Sequence, residues 1–121
     1  MVLSIKYVNG TNTLQVAFHQ QLTADDVVVL LLPSMDKVLS QFSTVNLLLE
    51  FCHDFAGWQL SAIWDEIKYN FSHRKQISRI AVVGSPQVAE WFLNVIFPVA
   101  PGGIENFTLG EIEKARAWLA Y

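Results

Sequence analysis

The alternation of apolar and polar positions predicts five short strands. Asn9-Gly10 lies between the first two apolar runs and predicts a hairpin turn, because both residues tolerate positive φ. The third and fourth runs are almost continuously apolar, which is typical of strands covered on both faces. The predicted strands are Leu3–Val8, Leu14–His19, Val45–Phe51, Arg79–Val83 and Ile104–Phe107.

Helical periodicity predicts four helices. The first begins after Thr23, a candidate N-cap, and runs to about Phe42, with Pro33 expected to kink it. Its predicted inward stripe is Val28, Leu31, Met35, Val38, Leu39 and Phe42, which leaves Val29 and Leu30 outside the stripe. The second helix presents Leu60, Ile63, Trp64, Ile67 and Phe71 on one face.

Turn and capping signals define the last two helices. Gly84-Ser85-Pro86 predicts the start of the third helix, and Pro98 with Pro101-Gly102-Gly103 predicts its end. Thr108 and Glu111 form a predicted capping box for the fourth helix. The order ββαβαβαβα therefore predicts an α/β fold, a mixed β-sheet flanked by four helices, in a single domain over residues 1–121.

The third helix carries more apolar surface than one sheet can cover. Its segment Trp91–Phe97 is apolar over roughly 240° of the helical wheel, where about 100° suffices for packing on a sheet. The excess needs a partner, and four remain open: a neighbouring helix of the same domain, a second subunit, an apolar ligand, or a membrane surface.

Composition and charge support an apolar partner. Hydrophobic residues make up 52% of the chain and charged residues 16%, whereas about a quarter charged is average. The surface must therefore carry more apolar area than usual. The formal net charge of -3 argues against a nucleic-acid partner, since such domains are normally basic.

Four motifs together resemble the STAS superfamily, typified by bacterial anti-sigma factor antagonists, and most closely its SpoIIAA-like branch. They are Leu22-Thr23-Ala24-Asp25-Asp26, Asp54-Phe55-Ala56-Gly57-Trp58, Arg79-Ile80-Ala81-Val82-Val83-Gly84 and Glu113-Lys114-Ala115-Arg116-Ala117-Trp118-Leu119. The resemblance implies a mixed sheet flanked by helices, and it brings no catalytic residues.

The resemblance implies two functional precedents. Anti-sigma antagonists are switched by phosphorylation of a Ser or Thr in a loop before the second helix. The aligned segment Asp54-Phe55-Ala56-Gly57 has no central hydroxyl, which counts against that switch. The second precedent is the relation of this branch to Sec14-like domains, which enclose an apolar ligand under mobile helices.

Residues Cys52-His53-Asp54 are the candidate metal ligands. Successive residues of a strand point in alternating directions, so they would need help from His19 or His73 to converge on one ion. A Cys52–His53 nucleophile pair is disfavoured by the same geometry. We therefore expect no metal, no cofactor and no catalytic residue, with Asp54 acting as a helix cap.

The expected function is a non-catalytic binding domain, not an enzyme, that holds a small apolar or lipid-like molecule between the second and third helices. Arg74 and Lys75 are candidate contacts to anionic membrane lipids. The alternative is a protein–protein regulatory module of the anti-sigma antagonist type without the phosphorylatable residue, or a homodimer through the same patch. The predicted ligand-binding residues are Phe55, Trp58, Ile63, Trp91, Phe92, Val95, Ile96 and Phe97.

The expected location is cytoplasmic, with peripheral contact at the inner membrane face left open. Cys52 is the only cysteine, so an internal disulfide is impossible. The first ten residues lack the pattern of a signal peptide. The longest apolar run, Val27–Pro33, is far shorter than the roughly 18 residues that suggest a membrane span.

Overall fold

A computed structural model of the chain describes residues 3–8, 10–58, 77–84, 87 and 103–120. The predicted second helix, and the predicted third helix apart from Gln87, lie outside these residues. The strands are β1 Leu3–Tyr7, β2 Thr13–Leu22, β3 Val45–Trp58, β4 Ile77–Val83 and β5 Ile104–Phe107. The helical segments are α1 Ala24–Asp26, a π-helical turn Val27–Leu31, α2 Leu32–Leu39, a 3-10 turn Leu109–Glu111 and α3 Ile112–Leu119.

The strands form one five-stranded sheet in the order β1-β2-β3-β4-β5. β1 pairs antiparallel with β2, whereas the pairs β2–β3, β3–β4 and β4–β5 are parallel. The mixed sheet predicted from the strand pattern is therefore confirmed. Of the four predicted helices, the first and the last fall within the described residues.

The β1–β2 hairpin closes near the predicted turn. The Val8 N–H donates to the Thr13 carbonyl, and both the N–H and the hydroxyl of Thr11 donate to the Val8 carbonyl. Gly10 has φ 75°, a left-handed value that glycine adopts without a steric penalty.

The sheet separates two apolar cores, and alternate residues of β3 and β4 contribute to each. One core packs against the first helical region and contains Phe18, Leu31, Met35, Leu47, Leu49, Phe51, Ile80 and Val82 with their neighbours. The other packs against α3 and contains Leu48, Ala81, Val83, Ala115 and Leu119. Apolar residues on both faces explain why these strands lack an alternating pattern.

The first helical region begins as predicted but is less regular than the sequence suggested. Thr23 and Asp26 bond reciprocally: the Asp26 N–H donates to Thr23 Oγ1 at 3.2 Å, and the Thr23 hydroxyl donates to Asp26 Oδ2 at 2.7 Å. Just before Pro33, the Leu32 N–H bonds to the Val27 carbonyl, five residues back. Pro33 has no N–H to donate, and the irregularity expected from it takes the form of this π-helical turn.

Three predictions for this region are wrong. Val28 and Phe42 were expected in the core, but they are 38% and 37% exposed. Leu30 was expected outside the inward stripe, yet it packs half-buried against the core. Val28 and Leu30 lie within the π-helical turn, where the spacing differs from the constant 100° of a helical wheel, and Phe42 lies beyond α2, which ends at Leu39 rather than at Phe42.

Candidate functional site

β2 and β3 continue together beyond the rest of the sheet. The pairing of β3 with β4 ends at Glu50 opposite Val83, whereas its pairing with β2 continues to Trp58 opposite Leu22. We call residues 18–22 and 51–58 the β2–β3 ribbon. The prediction that residues 54–57 form a loop, with Asp54 as a helix cap, is wrong because these residues are in β3.

The pairing within the β2–β3 ribbon is irregular at one place. Phe18 pairs with Phe51 and Gln20 pairs with Phe55, so three residues of β3 lie opposite His19 alone. Gln20 has φ 55°, which is uncommon for a residue with a side chain. Bulges of this kind often redirect side chains next to functional sites.

The bulge brings together three side chains with ligand or proton-transfer chemistry. His19 Nδ1 lies 2.9 Å from Asp54 Oδ1, and His19 Nε2 lies 3.7 Å from Cys52 Sγ. Burial raises the pKa of the Cys52 thiol, and the negative charges of Glu50 and Asp54 raise it further. We call His19, Cys52 and Asp54 the His–Cys–Asp cluster.

The opposite face of the ribbon carries three phenylalanine rings. Phe18 and Phe51 stack with centroids 4.6 Å apart, and Phe55 meets Phe51 edge-on at 5.0 Å. Gly84 allows this packing, because a Cβ at that position would lie only 3.1 Å from Phe51 Cβ. Phe55 is half-buried at the outer end of the three rings.

Two of the eight predicted ligand-binding residues are within the described part of the chain. Phe55 lies on the β2–β3 ribbon, and the backbone of Trp58 pairs with Leu22 at the end of the ribbon. Ile63, Trp91, Phe92, Val95, Ile96 and Phe97 lie outside the described residues, as do Arg74 and Lys75. The pocket between the predicted second and third helices therefore stays a prediction.

Arg79, near the start of β4, packs against α3. Its guanidinium donates to the Trp118 carbonyl at 2.7 Å and lies over the Trp118 ring. These contacts with α3 explain why a basic residue lies in a mostly buried strand.

The sequence analysis named His19 only as an additional metal ligand and did not predict its hydrogen bond to Asp54. The sequence alone gave no direct sign of this bond, because the bond depends on the pairing of β2 with β3 and on the position of the bulge.

A cavity of about 370 Å³ at the opposite end of the sheet was also not predicted. It is lined by Val8, Gly10, Thr11, Asn12, Thr13, Phe42, Arg116, Leu119 and Ala120.

Comparison with known proteins identifies the fold family. Residues 13–120 match the family described as SpoIIAA-like. The chain belongs to the SpoIIAA-like family. Membership confirms the STAS-type resemblance drawn from the four sequence motifs. No curated protein matches the chain.

A solved structure shares the SpoIIAA-like fold. It is the crystal structure of an uncharacterized protein from Shewanella loihica, 24% identical to this chain, with a TM-score of 0.65. The match covers 97% of this chain and 91% of that one. In the described part of the SpoIIAA-like domain, no helix combines the length and hydropathy needed to cross a membrane.

Proposed function

We propose that this SpoIIAA-like domain is a non-catalytic binding domain for a small apolar or lipid-like molecule. The observation that carries the proposal is the half-buried Phe55 ring on the projecting β2–β3 ribbon. The ribbon extends from the carboxyl ends of parallel strands, which is where open α/β sheets usually bind ligands.

The packing of Phe55 favours a binding role. Its ring rests on Phe51, which is held by Phe18, so little side-chain freedom remains to be lost when a ligand covers it. Each Å² of apolar area that the ligand removes from water contributes about 25 cal/mol before the costs of association. In this proposal Trp58 and the predicted second and third helices complete the pocket, and Arg74 and Lys75 contact anionic head groups.

Phe55→Ser should weaken the binding of an apolar ligand. Removing the ring forfeits at least 1.4 kcal/mol of apolar contact, so we expect about a tenfold loss of affinity for oleate. Native mass spectrometry of the gently extracted protein detects a retained ligand, and fluorescence titration with oleate measures the affinity.

Two further variants serve as controls. Phe55→Leu keeps an apolar side chain at the same position and should retain most of the binding. Tyr7→Ser removes an exposed aromatic ring on β1, near the opposite end of β2, and should bind like the wild type. A wild-type protein that carries no ligand and ignores both oleate and anionic liposomes would contradict the proposal.

The second candidate function is a protein–protein regulatory module that works without phosphorylation, or a homodimer. It is favoured by adjacent apolar residues on the π-helical turn, where Val28 is 38% and Val29 65% exposed. Contiguous exposed apolar side chains are typical of interaction surfaces. Light scattering during size-exclusion chromatography distinguishes the homodimer from the ligand-binding domain. Self-association that increases with protein concentration, together with no effect of oleate, would favour the homodimer.

A further inference from the structure

The His–Cys–Asp cluster combines three metal-ligating groups that neither candidate function uses. One donor atom from each residue can be chosen so that all three lie within 4.8 Å of one another. His19 and Cys52 are half-buried, and Asp54 is exposed. The three groups are therefore close enough for one ion and open enough to receive it.

We propose that His19, Cys52 and Asp54 bind a divalent cation of the zinc class, leaving a fourth coordination position for water or another ligand. Thiolate, imidazole and carboxylate are the ligands that zinc takes in proteins, at about 2.0–2.3 Å. Calcium and magnesium prefer oxygen ligands throughout, so this donor set selects a softer ion.

The separation of two of the donor atoms suits a tetrahedral ion. Ligand atoms at about 2.0–2.3 Å from a tetrahedral centre lie roughly 3.3–3.8 Å from one another. The separation of Cys52 Sγ from His19 Nε2 is 3.7 Å, within this range. Asp54 Oδ1 bonds to the other ring nitrogen, His19 Nδ1, so the Asp54 side chain, which is 58% exposed, has to rotate to bring a carboxylate oxygen to an ion held by Nε2 and Sγ.

An irregular strand pairing brings the cluster together. An even register would give His19 one partner on β3, but the bulge turns both Cys52 and Asp54 towards it. Gln20, the next residue of β2, takes the positive φ that follows from this irregular pairing. Backbone outliers of this kind persist mainly at ligand and catalytic sites.

Charge favours a cation over a nucleophilic role for Cys52. The arrangement of Cys52, His19 and Asp54 also resembles the relay that activates a thiol. However, Asp54 adds a carboxylate to the cluster, 2.9 Å from His19, and Glu50 lies two residues before Cys52. A divalent ion would neutralise the thiolate and the Asp54 carboxylate together.

The test uses the full chain without a purification tag, first treated with a chelator and kept reduced. We expect one zinc ion per chain after gel filtration, measured by elemental mass spectrometry, and competition with a chromogenic chelator gives the affinity. Cobalt added in place of zinc should produce a thiolate-to-metal charge-transfer band. This band reports sulfur coordination in the wild type without any variant.

Cys52→Ser, His19→Gln and Asp54→Asn should each lower zinc affinity by at least about tenfold. His53→Gln is the matched control, since His53 is an exposed histidine between two of the ligands but outside the cluster. It should bind zinc like the wild type. Circular dichroism checks that each variant is folded.

Three results would overturn the inference: no bound zinc in the wild type, no charge-transfer band with cobalt, or equal loss in His53→Gln. The two proposals depend on different side chains. Phe55→Ser should therefore keep its zinc, and Cys52→Ser should keep any affinity for oleate.

Discussion

Asn46 is a buried polar side chain that joins three elements. It lies in β3 and is 8% exposed. Its Oδ1 accepts the Arg79 N–H of β4 at 3.1 Å, and its Nδ2 donates to the Leu119 carbonyl at the end of α3 at 3.2 Å. These two hydrogen bonds explain why a polar residue lies in an apolar strand, because without the Asn46 side chain the Arg79 N–H and the Leu119 carbonyl would each lose this partner.

Asn46→Leu should lower the free energy of unfolding by about 2 kcal/mol, because two polar groups lose their bonds to the side chain. Urea unfolding followed by circular dichroism measures the change. Asn106→Leu is the control, since Asn106 is exposed and its amide donates to the Val82 carbonyl at 3.0 Å. Equal losses in the two variants would contradict a special role for Asn46.

The sequence was a poor guide to which polar side chains meet. Cys52, His53 and Asp54 were expected to point in alternating directions, which places Cys52 and Asp54 on one face of β3 and His53 on the other. The contacts of His19 with Cys52 and Asp54 follow that alternation, and the bulge places both residues opposite His19. Since strand pairing is not encoded in local spacing, the His19–Asp54 bond could not be predicted from residue spacing.

The helical elements differ in how well their local signals describe them. The capping box before α3 is present as predicted: Glu111 Oε1 accepts the Thr108 N–H at 3.0 Å, and the Thr108 side chain caps the turn in return. Lys114 donates to the other oxygen of Glu111 at 3.2 Å. The first helical region departs from its pattern at the π-helical turn before Pro33.

The capping box should make stability depend on pH. The backbone N–H of Thr108, then Lys114 and the Thr108 hydroxyl, hold the pKa of Glu111 below its ordinary value of 4.5. A lowered folded-state pKa contributes stability above about pH 4.5 and loses it as the pH falls through the folded-state value.

Glu111→Gln should therefore have a lower Tm than the wild type at neutral pH, and the difference should shrink in acid. Thermal melts between neutral pH and about pH 3 measure it. Glu105→Gln, on the exposed edge strand β5, is the control and should show no such convergence. A Tm difference independent of pH would count against the ionised cap.

The described part of the domain is organised by a sheet with an apolar core on each face. Leu48 and Leu49 are adjacent in β3, fully buried, and belong to opposite cores. Because one strand serves both cores, we expect them to unfold together.

Leu48→Ala and Leu49→Ala should each cost about 2–5 kcal/mol and leave a single unfolding transition. Val29→Ala, at a position that is 65% exposed, is the control and should change stability by less than about 0.5 kcal/mol. Calorimetry checks the cooperativity, and two separate transitions in either variant would mean that the cores unfold independently.

Local sequence was enough to determine the described strands, the hairpin turn, both helix caps and the α/β class, because apolar periodicity and capping chemistry act between near neighbours. The four ordered motifs were enough for the SpoIIAA-like family. Long-range strand pairing decided the length of β3, the bulge and the meeting of His19 with Cys52 and Asp54. These features depend on which strands lie side by side, and no spacing along a single strand encodes that.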